Sequence, residues 1–80
     1  MHIDPRNIAR HVPPIRTQAL RSALAGLIDN TAIADLRLLE RWELAPEPGV
    51  AAALRVRQIQ RANPSLTASI RAEIAQQRRL

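Results

Sequence analysis

Apolar residues recur at Ile15, Ala19, Leu20, Ala23, Leu24, Leu27 and Ile28, in steps of 4, 1, 3, 1, 3 and 1. Those steps trace one stripe of an α-helix, while Arg16, Thr17, Arg21 and Ser22 fall elsewhere on it. The spacing predicts a helix from near Pro14 to Ile28. Ala19 and Ala23 are small enough for a neighbouring helix to approach closely, and Gly26 inside the pattern costs only ~1 kcal/mol of helix propensity. Upstream, Asp4 followed by Pro5 reads as an N-cap with proline at the first helical position, opening a short helix through about Arg10. Pro13-Pro14 stops it and turns His11 and Val12 extended.

Asp29-Asn30-Thr31 predicts a tight break in which Asn30 or Thr31 caps the next helix. That helix runs to about Leu44. Its apolar residues, Ile33, Leu36, Leu38, Leu39, Trp42 and Leu44, surround most of its circumference, the mark of a helix packed on more than one side. Ala45-Pro46-Glu47-Pro48-Gly49 predicts a loop. A further helix follows from about Val50 to Ala62, although Val50, Leu54, Val56 and Ile59 make a poor stripe and leave its orientation open. Asn63-Pro64 repeats the cap-plus-proline logic and opens a last helix with a narrow seam of Leu66, Ile70 and Ile74. No alternating β pattern, hairpin signal or internal repeat interrupts this series.

The expected fold is therefore all-α: a small bundle of three main helices plus a short N-terminal helix and a C-terminal helix. Residues 1–80 read as a single helical domain, with the loop at 45–49 between an N-terminal and a C-terminal helical pair. A chain of 80 residues removes only ~60% of its unfolded surface from water. Its apolar surface exceeds what it hides alone, so association with a partner is expected.

Charge adds a second pattern. From Pro5 to Ile28 there are four arginines and no carboxylate; from Asp29 to Pro48, five acids stand against Arg37 and Arg41; from Gly49 to Ala72, four arginines again stand without an acid. Read internally, the flanking arginines pair with the central acids at the rim. Read externally, they meet an anionic partner. Arg57 and Arg61 share one helix face at i and i+4, where like charges repel. The net charge is +5 and the sequence pI about 11.7, a value inflated because all 12 basic residues are Arg and nothing titrates between histidine and guanidinium.

Most chemistry is excluded by supply. There is no Cys, hence no disulfide, thiolate ligand or thiol nucleophile. His2 and His11 lack metal-ligand spacing, and Gly26 and Gly49 cannot write a phosphate loop. Glu40 and Glu43 are the best-spaced carboxylate pair for acid–base work, but Arg37 and Arg41 are their better partners. Ser22, Ser65 and Ser69 lack a nucleophile elbow. No catalytic, cofactor or metal site and no small-molecule substrate is expected. A helix-turn-helix is poorly supported too, because its second helix would bring Asp35, Glu40 and Glu43 to phosphate.

The leading expectation is a small, non-enzymatic helical binding protein of the inhibitor, adaptor or regulator kind. It contacts another protein, or itself as a homodimer, through an apolar patch rimmed by arginine. Leu36, Leu39 and Trp42 are the interface candidates; Trp42, the sole aromatic residue, reads either as a core anchor or as an interface hot spot. The alternative is an arginine-dependent nucleic-acid binder or transcriptional regulator, with Arg55, Arg57, Arg61 and Arg71 as the contacts; a structural role in a larger assembly is a third. Without Phe or Tyr, stacking on single strands is disfavoured. Arg78-Arg79 reads as a complement to the last helix dipole. No apolar run resembles a signal peptide or a membrane span, so a cytoplasmic location without membrane contact is expected.

Overall fold

The computed structural model describes residues 14–79, and these contain four helices and no strand. They are α1 (Gln18–Leu24), α2 (Asn30–Leu44), α3 (Val50–Ala62) and α4 (Pro64–Arg78). The helix expected from Asp4 to Arg10 lies outside the described residues, as do His2 and His11. Among the described residues no helix is long and apolar enough to cross a membrane.

The last three helices begin and end close to where the punctuation puts them. Asp29, rather than Asn30 or Thr31, caps α2: its Oδ1 accepts from the amides of Thr31 at 2.9 Å and Ala32 at 3.3 Å. Gly49, at φ +120°, admits the chain to α3 in a conformation that residues with a Cβ rarely adopt. Asn63 does not cap α4 with its side chain. Its amide instead donates back to the Ile59 carbonyl, closing α3, and α4 opens on Pro64, whose missing N–H leaves one fewer donor to satisfy.

The expected helix over 14–28 is much shorter. Only Gln18–Leu24 is helical, and Ile28, at the end of the predicted stripe, is 92% exposed. Gly26 is the reason at one end. It takes φ +78°, and the turn around it lets Ala25 N–H donate to the Arg21 and Ser22 carbonyls and Leu27 N–H to the Leu24 carbonyl, a glycine-terminated helix end.

At the other end, two carboxylates fix where α1 starts. An α-helix begins with backbone N–H groups that have no intrahelical partner, and here each finds a side-chain oxygen. Glu40 of α2 accepts from Arg16 N–H at 2.8 Å through Oε1 and from Thr17 N–H at 3.0 Å through Oε2. Glu73 of α4 accepts from Gln18 N–H at 2.8 Å and Ala19 N–H at 2.7 Å. Thr17 completes the set: its hydroxyl donates to Glu40 Oε2 at 2.6 Å and accepts from Leu20 N–H at 3.1 Å. Gln77 adds a bond from its amide to the Arg16 carbonyl. Thr17 and Glu40 are buried, at 0% and 3% exposure. An isolated helix of this length is unstable in water, so these contacts and the burial of Leu20 hold α1 in place.

The core consists of Leu39, Val56, Ile59, Ile70 and Ile74, with Leu36, Leu38, Trp42, Leu44, Leu66 and Ala19 packed half-buried around it. Both α2 and α4 touch all three other helices, whereas α1 and α3 do not touch each other. The arrangement is thus a central pair, α2 and α4, flanked by α1 and α3. The all-round apolar pattern of α2 is explained by those three neighbours.

Two outcomes follow for stability. Glu40→Gln, nearly equal in size, replaces one acceptor oxygen with an NH₂ group facing a donor, and is expected to cost about 2–4 kcal/mol in urea unfolding; an unchanged midpoint would contradict the clamp. Leu39→Ala is expected to cost about 2–5 kcal/mol, whereas Ile28→Ser should stay within about 0.5 kcal/mol in dilute protein, compared on the same unfolding curves.

Candidate functional site

Among the concave surfaces of the described residues, two lie on opposite flanks of α3. With about 100° between successive residues of a helix, Arg55, Gln58, Ile59 and Ala62 share one face of α3, and Arg57, Gln60 and Arg61 share the opposite face. The first face looks onto the gap left because α1 and α3 do not meet.

That gap is an open groove of about 510 Å³. Ala23 of α1 and Leu27 form one wall, Ile59 and Ala62 of α3 the other, with Ala32 and Leu36 of α2 and Leu66 of α4 between them. Its polar margin is Asp35, Arg55, Gln58 and Asn63. Arg55 Nη2 lies 2.8 Å from both oxygens of Asp35, so the two charges at the rim compensate each other. The pair is partly exposed and contributes only ~0–1 kcal/mol to stability; its effect is to leave an aliphatic trough with an electrically neutral edge.

The second surface is a shallow cleft of about 270 Å³ between α3 and α4, lined by Arg57, Gln60, Arg61, Pro64, Thr67, Ala68 and Arg71. Arg71 is anchored from below: its Nε lies 2.6 Å and its Nη2 3.3 Å from the carboxylate of Glu43, which also accepts from Gln60 Nε2 at 2.9 Å. The hydrogen bond to Glu43, and then that carboxylate's charge, raise the Arg71 guanidinium above its ordinary pKa. Arg57 and Arg61 are exposed, and among the described residues neither forms an ion pair.

The interface candidates therefore separate. Leu36 lines the groove. Leu39 is fully buried and has no surface left for a partner, because it sits on the side of α2 that meets the core. Trp42 packs half-buried against that core and does not line the groove. The arginine candidates also divide: Arg57, Arg61 and Arg71 converge on the cleft, and Arg55, two residues from Arg57 and so on the far side of α3, closes the groove rim. The internal reading of the charge pattern is visible in Arg55–Asp35 and Arg71–Glu43.

Glu40 and Glu43 do not converge on one site, and the hydrogen bonds of Glu40 run to the start of α1. Glu40 faces backbone amides and a hydroxyl, while Glu43 turns to α3 and α4. Among the described residues no three His, Cys, Asp or Glu side chains are grouped as metal ligands, and no buried side-chain nitrogen or oxygen lacks a hydrogen-bond partner.

Of the groove residues, Ala23, Leu27 and Leu66 belong to apolar patterns that the sequence shows but does not mark as surface, and Ala32 and Ala62 belong to none; the small size of the alanines lowers the walls of the trough. Compared with protein-family models, curated proteins and solved structures, the chain matches none.

Proposed function

We propose that this chain is a non-enzymatic helical binding protein that acts through protein–protein contact at the groove between α1 and α3, with a second copy of itself as the occupant. The groove carries this reading: its volume of about 510 Å³ and aliphatic lining suit several side chains of a partner helix or turn. The neutral Asp35–Arg55 rim sets no charge requirement on the partner.

A second copy fits because the chain also bears a matching protrusion. Ile28 is 92% exposed. Ile28 directly follows Leu27, a groove residue, so a two-fold arrangement places each copy's Ile28 at the other's groove. Such an isologous contact closes on itself and stops at a dimer. Removing Ile28 from water contributes about 1.5–3 kcal/mol per copy, realised twice in the pair.

Sedimentation equilibrium tests this. The protein is expected to be dimeric at high micromolar concentration, and Ala62→Arg, which fills the groove from an exposed position in the last turn of α3, should be monomeric with an unchanged helical circular-dichroism spectrum. Ile28→Glu should give the same result from the other side of the contact. A wild-type monomer across the whole concentration range, or folded variants that still dimerise, would contradict the proposal.

A further inference from the structure

Across α3 from the groove, the arginine cleft has chemistry of its own. Arg57 and Arg61 stand one helical turn apart, about 6 Å along the axis of α3, with Arg71 on the facing helix. Glu43 offsets one of these charges, yet it engages only Nε and Nη2 of Arg71, and Nη1 makes no bond among the described residues. Arg57 and Arg61 gain no such compensation. The repulsion between them is a small cost in the free protein, and an anion bridging them removes it while accepting charge-assisted hydrogen bonds.

The positive charge also extends beyond one phosphate's reach. Arg78 follows Arg71 by two helical turns, about 10.5 Å along the same face of α4, and is exposed with one nitrogen bonded to the Leu44 carbonyl. Cations spaced along two adjacent helices suit a linear polyanion better than a single group. The chain has no Phe or Tyr, and Trp42 is packed against the core, so among the described residues no free aromatic ring offers a stacking surface for unpaired bases.

We propose that Arg57, Arg61 and Arg71 form a phosphate-binding cleft that holds the backbone of double-stranded nucleic acid without reading its bases. Contact of this kind is salt-dependent, because each neutralised phosphate releases condensed counterions. Three contacts give a slope of log affinity against log salt of about −2.7, and sequence has no effect on it.

Fluorescence anisotropy of a labelled DNA duplex, titrated with the full chain from low to moderate salt, tests the assignment. The wild type should bind with a slope near −2.7, and Arg57→Ala/Arg61→Ala should bind at least ~10-fold more weakly at low salt with a slope near −0.9. Arg21→Ala/Arg41→Ala removes two charges outside the cleft and should leave most of the affinity and slope in place. Polyglutamate and inorganic phosphate serve as competitors. No duplex binding at low salt overturns the proposal, as does binding that survives loss of Arg57 and Arg61. Displacement by polyglutamate at an equal concentration of charge also overturns it, assigning the cleft to an acidic protein surface instead. Because the groove is not involved, adding Arg57→Ala/Arg61→Ala to the monomeric Ala62→Arg variant should weaken duplex binding by the same factor as in the wild type, which separates this outcome from that of the dimer.

Discussion

The placement of the first helix, and with it the groove, depends on two carboxylates closing the start of a seven-residue helix. Residues 16–19 present four successive backbone N–H groups, and Glu40 and Glu73 accept all of them. These partners lie 23 to 55 residues away in the chain. A hydrogen bond to a charged acceptor contributes more than one between neutral groups, about 1.5–3 kcal/mol, and an amide left unpaired at a buried site costs a comparable amount. The clamp therefore converts a segment too short to be helical alone into a fixed wall of the molecule, joined to both helices of the central pair.

The position of α1 decides what surface is left. Held at its N-terminus by α2 and α4 and stopped by Gly26 after two turns, α1 does not reach α3. The gap becomes the apolar groove, and Leu27 and Ile28 emerge beyond the helix end instead of completing a stripe against the core. Had the helix continued to Ile28, as the apolar spacing alone suggests, those two residues would have had a different environment and the groove a different wall. On the far flank, the same central pair sets the cleft: Glu43 of α2 fixes Arg71 of α4 opposite Arg57 and Arg61.

What the sequence makes legible is governed by local interactions. The bounds of α2, α3 and α4 are written in the Asp29-Asn30-Thr31 break, in the Pro46–Gly49 run and in Asn63-Pro64, because breaks, prolines and positive-φ glycines act within a few residues, although the cap of α2 is Asp29 and not Asn30 or Thr31. The buried seam of Ile70 and Ile74 is legible for the same reason. The clamp is not. A glutamate on a helix reads as solvated or as the i±3 or i±4 partner of an arginine, and nothing near Glu40 in the chain announces that its acceptors face Thr17. Periodicity likewise shows that Leu36, Leu39 and Trp42 are apolar positions of one helix, but not which of its faces is left uncovered. The arginines illustrate both cases: the Arg57–Arg61 pairing follows from spacing, whereas Arg71 joins them only through tertiary packing.

Amide hydrogen exchange on the full chain tests the clamp most directly, since it reports on each N–H group separately. The account predicts that Thr17, Gln18, Ala19 and Leu20 exchange far more slowly than the first-turn amides of α3, whose cap residue Gly49 supplies no side-chain acceptor. It further predicts that Glu40→Gln speeds their exchange while α2, α3 and α4 keep their relative protection. Rapid exchange of those four amides in the wild type, at the rate of an open chain, would contradict it.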